Sequence, residues 1–218
     1  MSTLTSAQKW MVNAGAIIAD DNGLSTDELY AFDPYDHEKS SNVREMLNRD
    51  WGVGDKKGLL EVTDQLSNGQ GGHNPRFCQI RDYWARFSSQ QVAYDMRRYS
   101  DDELSDIQLV LTHSQTLGSS GILSWDLGRC VPLLRDGYSL SWFTKEETWE
   151  KLNALSINMQ QSYNSWEHAG TAYIVGRLFW AKGGLSESTC NDYFGKLKRI
   201  ITNPEHAWNT IAWDTKLV

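Results

Sequence analysis

Three charged residues stand in segments that are otherwise mostly apolar, and together they could bind an anion. Asp126 and Arg129 are three positions apart, so they share one face of a helix predicted over 120–135. Arg177 belongs to a second predicted helix, 166–182, which is apolar nearly all round and therefore central. An arginine buried there keeps its charge and needs an anionic partner. Asp126 is the candidate partner, for Arg177, for Arg129 or for both.

Two arginines against one carboxylate leave a positive surplus, which has two interpretations. The first is a structural network of ion pairs that fixes the register of the helices. The second is a pocket for a phosphate- or carboxylate-bearing small molecule, in which Asp126 acts as acid or base and Arg129 and Arg177 hold the anion. A deep pocket lined by all three residues would favour an enzyme, and a dry, closed cluster would favour the structural network.

The usual sequence signatures of catalysis and metal binding are missing. The chain has no G-x-S-x-G, no H-E-x-x-H, no Walker A motif and no cysteine–histidine cluster at zinc spacing. The glycine-rich segment 68–75 follows no recognisable strand, so we interpret it as a flexible loop and not as a phosphate loop. The sequence therefore predicts no metal and no cofactor, and it favours a binding protein over an enzyme.

The helices that must position these residues are predicted from periodicity and capping signals. No segment shows the period-two, β-branched runs of a sheet, so we predict an all-α protein with one domain over 1–218 and about eight to ten helices. Capping boxes predict helix starts at Ser25, Ser100 and Thr144. Ser165 and Ser186 are predicted N-caps, and glycines predict helix ends at Gly137 and Gly183-Gly184. Apolar periodicity predicts further helices over 6–20, 40–50, 55–67 and 76–87.

Composition and charge narrow the class of protein. The 218 residues carry a formal net charge of −7, which argues against a general nucleic-acid binder, since such proteins need a basic face. The three cysteines are far apart, as is usual in a reducing compartment. We see no signal peptide and no apolar run near the roughly 20 residues of a membrane span. We therefore expect a cytoplasmic protein that does not bind membranes.

Four tryptophan-containing blocks carry a resemblance. They are Trp-Gly-Val at 51–53, Trp-Asp-Leu-Gly-Arg at 125–129, Gly-Arg-x-Phe-Trp at 176–180 and Trp-Asn-x-Ile-x-Trp at 208–213. In combination they resemble a bacterial family catalogued as domain of unknown function 1266, over roughly residues 8–215. The resemblance implies bacterial origin and a single domain, and it supplies no activity. Asp126, Arg129 and Arg177 lie within the resembling blocks.

The acidic balance suits a basic protein partner, because complementary charge steers association. Our first hypothesis is a bacterial protein-binding module, such as an immunity or regulatory protein that docks on a basic toxin. Asp101, Asp102 and Glu103 would steer the partner, and Trp142, in a loop between two predicted helices, would be the aromatic anchor. Plainer interpretations exist for both features. Acidic residues are favoured at helix N-termini, and the 10 tryptophans, Trp142 included, could serve the core.

Overall fold

The computed structural model describes residues 4–181 and 187–217, and the regular structure in this part of the chain is helical throughout. The first half contains α1 (Ser6–Asn13), α2 (Ala16–Asp21), α3 (His37–Trp51), α4 (Lys56–Ser67), α5 (Asn74–Trp84) and α6 (Ser89–Asp95). The second half contains α7 (Asp101–Leu117), α8 (Leu123–Ser139), α9 (Lys145–Ser162), α10 (Trp166–Trp180), α11 (Glu187–Thr202) and α12 (Ala207–Thr210). The all-α prediction is confirmed.

Capping chemistry decides where several of these helices begin. Ser100 and Thr144 each form the capping box that the sequence predicted, with Glu103 and Glu147 as the reciprocal partners. Ser165 accepts a hydrogen bond from a backbone N–H in the first turn of α10, again as predicted. These three starts depend only on residues close in sequence, which explains why sequence reasoning found them.

The helix start predicted at Ser25 is wrong, and the segment 25–30 is instead held by a buried arginine. Arg135 of α8 has no exposed surface, and its guanidinium donates hydrogen bonds to the carbonyl oxygens of Ser25, Glu28, Leu29 and Tyr30. These carbonyl oxygens accept hydrogen bonds from the guanidinium in place of the backbone N–H groups that a helix would provide. Burial lowers the pKa of Arg135 to about 10, so the side chain stays charged at neutral pH.

We expect Arg135→Met to lower the free energy of unfolding by about 2–3 kcal/mol, because it leaves several backbone carbonyls without their charged donor. Urea denaturation followed by circular dichroism measures this loss. Arg49→Met is the matched control, since Arg49 is exposed and pairs only with the adjacent Asp50, so its loss should leave stability nearly unchanged. An Arg135→Met protein as stable as the parent would show that segment 25–30 does not depend on this guanidinium.

Two other predicted boundaries are wrong because a glycine is used for close packing. The predicted helix 6–20 is divided into α1 and α2, and Gly15 at the break lies against α8 with no room for a Cβ. Gly137 does not end its helix but lies inside α8, where Phe143 packs on it. The boundaries predicted at Gly183-Gly184 and Ser186 lie outside the described residues.

The central helix is α8, whose residues from Ser124 to Gly137 are all buried. It packs against α2, α4, α9 and most extensively α10. The contact with α10 is close because a Cβ at Gly176 would lie 2.3 Å from the Cβ of Trp125. This contact places the Trp125–Arg129 segment beside Arg177, as the candidate site requires. In residues 4–181 and 187–217, no helix combines the length and the apolar character needed to cross a bilayer.

Four tryptophans form one cluster that joins α1 and the segment 208–213 to α10. The ring centroid of Trp166 lies 4.5 Å from that of Trp10, 5.2 Å from that of Trp208 and 5.0 Å from that of Trp213. The indole N–H groups of Trp10, Trp166 and Trp208 each donate to a backbone carbonyl at 2.9 Å. For Trp10, Trp166 and Trp208 the core interpretation is therefore correct, and Trp213 packs against them while partly exposed.

Candidate functional site

Asp126 is completely buried and joins α8 to the start of α5. Its Oδ1 lies 2.6 Å from Nη2 of Arg129, and its carboxylate accepts hydrogen bonds from the backbone N–H groups of His73 and Asn74 at 3.1–3.3 Å. The carboxylate therefore caps the first turn of α5 from a neighbouring helix. Gly72 has φ +75° and a Cβ there would lie 2.4 Å from the carboxylate, so glycine is required at this position. The loop predicted at 68–75 is anchored at this end.

The predicted pairing of Asp126 with Arg177 is not formed, and Arg129 is the partner that the structure selects. Arg177 is half-buried and has no ion pair within the described residues. Aromatic rings surround it instead. Its guanidinium carbon lies 4.5 Å from the ring centroid of Trp180, 5.5 Å from that of Tyr193 and 5.8 Å from that of Trp125. These cation–π contacts hold the side chain in place without neutralising its charge.

Arg129 and Arg177 both line an open cleft with about 800 Å³ of space, which we call the arginine cleft. The aromatic part of its wall consists of Trp51, Trp125, Tyr173, Trp180 and Tyr193. The guanidinium carbon of Arg129 lies 4.5 Å from the ring centroid of Trp125 and 5.3 Å from that of Trp51, so it too is held by indole rings. Asp126 does not line the cleft. Of the three residues predicted to form one pocket, the structure places the two arginines there.

The charges of the arginine cleft are balanced with one exception. Most of its charged side chains form ion pairs, namely Lys196–Asp21, Asp50–Arg49 and Arg129–Asp126. Arg177 is the charged residue of the cleft that has no such partner in the part of the chain that the structure describes. The positive surplus expected from the sequence is thus localised on one guanidinium.

Sequence reasoning missed the aromatic residues of the cleft. Trp180 was expected on a buried face, but 46% of its surface is exposed. Trp51 and Tyr193 come from α3 and α11, which are far from α8 in sequence, so no local pattern links them to Arg129 or Arg177. Among the described residues, no group of histidine, cysteine, aspartate or glutamate is arranged to hold a metal ion.

The residues predicted for partner docking lie at the surface, with different degrees of exposure. Asp101, Asp102 and Glu103 are exposed in the first turn of α7. The Glu103 carboxylate accepts hydrogen bonds from the N–H and hydroxyl of Ser100, and these bonds lower its pKa. Trp142 is half-buried, packs against the core and has the guanidinium of Arg44 over its ring at 5.2 Å.

Comparison with known proteins gives a family and one curated relative. The model of a family described as "Protein of unknown function (DUF1266)" matches residues 46–213. The uncharacterized protein YbeU of Escherichia coli (strain K12) is 27% identical over 143 residues, which cover 66% of this chain and 60% of YbeU. The chain thus spans less than two thirds of the length of that relative. No solved structure matches the chain.

Proposed function

The chain belongs to the DUF1266 family, whose description names no activity, and we propose that its arginine cleft binds a small anion that carries a phosphate or carboxylate group. The proposal depends on the surroundings of Arg177. Its guanidinium is held by three aromatic rings at an open cleft, and no carboxylate within the described residues pairs with it. A guanidinium fixed in this way is preorganised to donate two parallel hydrogen bonds to an anion.

The remainder of the cleft supports a small organic ligand. Its space of about 800 Å³ falls within the range of about 300–1,000 Å³ that is typical of small-molecule sites. The half-exposed ring of Trp180 offers an apolar surface to the uncharged part of such a ligand. Arg129 adds a second guanidinium whose direction is fixed by Asp126.

Asp126 has a positioning role in this proposal and not the acid or base role that the sequence suggested. Its carboxylate already accepts hydrogen bonds from Arg129, His73 and Asn74, and it does not line the cleft. A proton on Asp126 would weaken the ion pair that orients Arg129. The proposal is therefore one of binding, and it assigns no reaction to this carboxylate.

Isothermal titration calorimetry with inorganic phosphate, pyrophosphate and citrate tests the anion site. We expect Arg177→Gln to weaken binding about tenfold or more, because a hydrogen bond to a charged group contributes roughly 1.5–3 kcal/mol. Its melting temperature should fall by no more than a few degrees, because the cation–π contacts are lost but no ion pair is. Arg199→Gln, an exposed arginine in the last turn of α11, is the control and should bind like the parent.

Two results would contradict the anion site. The first is a parent protein that binds none of the three anions at millimolar concentrations. The second is an Arg177→Gln protein that binds them as tightly as the parent does.

Docking on a basic protein partner is the second candidate function. The exposed carboxylates of Asp101 and Asp102 and the net charge of −7 favour it, because both raise the rate of encounter with a basic surface. The anchor role of Trp142 is less well supported, since much of its ring packs on the core. This candidate uses a surface with no residue in common with the arginine cleft, so the two functions can be tested separately.

A further inference from the structure

A second cavity, which we call the Asp136 cavity, adjoins the arginine cleft. It has about 420 Å³ of space, and it shares five lining residues with the cleft, namely Ile18, Asn22, Asp50, Trp51 and Arg129. The two spaces therefore meet where Arg129 lies beside Trp51. A ligand whose anionic group is held in the arginine cleft can extend past Arg129 into this cavity.

Asp136 is the nearly buried carboxylate of this cavity, and the rest of the described fold does not pair it. Only 7% of its surface is exposed, yet within the described residues its carboxylate forms no hydrogen bond and no ion pair. It lines the cavity. A nearly buried carboxylate with no hydrogen bond and no ion pair is costly for a protein, and its position in a cavity beside the arginine cleft points to a ligand.

Two cations act on Asp136 from a distance, Arg135 and Lys39, and within the described residues neither forms an ion pair with it. From α3, Lys39 and Asp50 line the same cavity, but neither forms an ion pair with Asp136. From α8, Arg129 is paired with Asp126. The neighbouring Arg135 directs its guanidinium to the carbonyl oxygens of segment 25–30. Burial raises the pKa of Asp136 to about 7 although the charges of Arg135 and Lys39 lower it, so only a cation in direct contact would restore the ionised form.

The spacing of Arg129 and Asp136 along α8 sets the distance between the anionic and the cationic group of a ligand that binds both. Arg129 and Asp136 are seven residues apart and so lie on one face of the helix, separated by about 10 Å along its axis. Pro132 and Leu133, between them on that face, line the same cavity and give it an apolar floor. A flexible apolar spacer therefore suits the space between an anion at the arginines and a cation at Asp136.

We propose that the ligand of the arginine cleft also carries a protonated amine, which Asp136 binds in the adjoining cavity. This inference rests on the proposed anion site and adds the second half of the ligand. The class is an amphoteric molecule, with a phosphate or carboxylate at one end and an amine at the other. Its apolar spacer lies over Pro132 and Leu133.

Calorimetry at pH 8 with 6-aminohexyl phosphate and hexyl phosphate tests this inference. The two probes have the same phosphate and the same spacer and differ in the amine, which is protonated at this pH. We expect the parent to bind 6-aminohexyl phosphate at least tenfold more tightly than hexyl phosphate. Asp136→Asn should abolish this preference and leave the affinity for hexyl phosphate unchanged. The exposed Asp214→Asn should retain it.

Three other outcomes would each overturn a part of the proposal. Equal binding of the two probes by the parent would overturn the amine site and leave the anion site standing. A preference that survives in Asp136→Asn would place the amine elsewhere and overturn the role of Asp136. If neither probe binds at millimolar concentrations, the anion site and the amine site are both wrong.

Discussion

Asp126→Ala is expected to lower the free energy of unfolding by about 3–5 kcal/mol, the usual cost of removing one partner of a buried ion pair. Arg129, which is 8% exposed, would lose its carboxylate, and the backbone N–H groups of His73 and Asn74 would lose their acceptor. Urea denaturation followed by circular dichroism measures the change. Asp126→Asn should lose less, because the amide oxygen still accepts hydrogen bonds while the charge is gone.

The control for this prediction is Asp82→Ala. The Asp82 carboxylate pairs with the adjacent Arg81 but is 60% exposed, so its loss should leave stability nearly unchanged. An Asp126→Ala protein that melts with the parent would refute the structural role of this carboxylate. A loss below about 1 kcal/mol together with lost phosphate binding would assign Asp126 to the binding site instead.

Asp136→Asn is expected to stabilise the protein at pH 8 and to have little effect at pH 4. Burial raises the pKa of Asp136 from 3.8 to about 7, so the folded protein holds a proton that the unfolded chain releases between these pH values. The ionised aspartate therefore destabilises the fold progressively as the pH rises from about 4 to about 7. Asparagine removes this penalty, which amounts to roughly 4 kcal/mol for a shift of about three pKa units.

The measurement is the difference in unfolding free energy between Asp136→Asn and the parent at both pH values. Subtracting the parent removes the contributions of other titrating groups. The exposed Asp214→Asn is the control, and its difference from the parent should not change with pH. If the difference for Asp136→Asn is the same at pH 4 and pH 8, the carboxyl group is not desolvated in the folded protein.

The two predictions concern residues of α8 that sequence reasoning treated differently. Asp126 was singled out as the candidate partner of Arg177, of Arg129 or of both, and the ion pair that forms is the one with Arg129. Arg135 and Asp136 received no role, although they lie on the same central helix and are both buried. Their adjacency suggests an ion pair, but consecutive helical residues point in different directions. Arg135 reaches the carbonyl oxygens of segment 25–30, and Asp136 faces a cavity.

The features that the sequence by itself determined are those set by neighbours along the chain. The helical class follows from the apolar periodicity, and the helix starts at Ser100, Thr144 and Ser165 follow from side chains that accept a hydrogen bond from the N–H group three residues ahead. The presence of charge within apolar helices was also evident, and it directed attention to Arg129 and Arg177. None of these features depends on which helices pack against each other in the folded protein.

The tertiary structure alone decided which charges are neutralised. Asp126 could pair with either arginine, and in the structure, where α5 packs on α8 after the loop that ends at His73, it pairs with Arg129. Trp51 and Tyr193 reach the site from distant helices, so the aromatic surroundings of Arg177 exist only after folding. An ion pair needs its atoms within about 4 Å, and separation along the sequence does not fix such a distance between different helices.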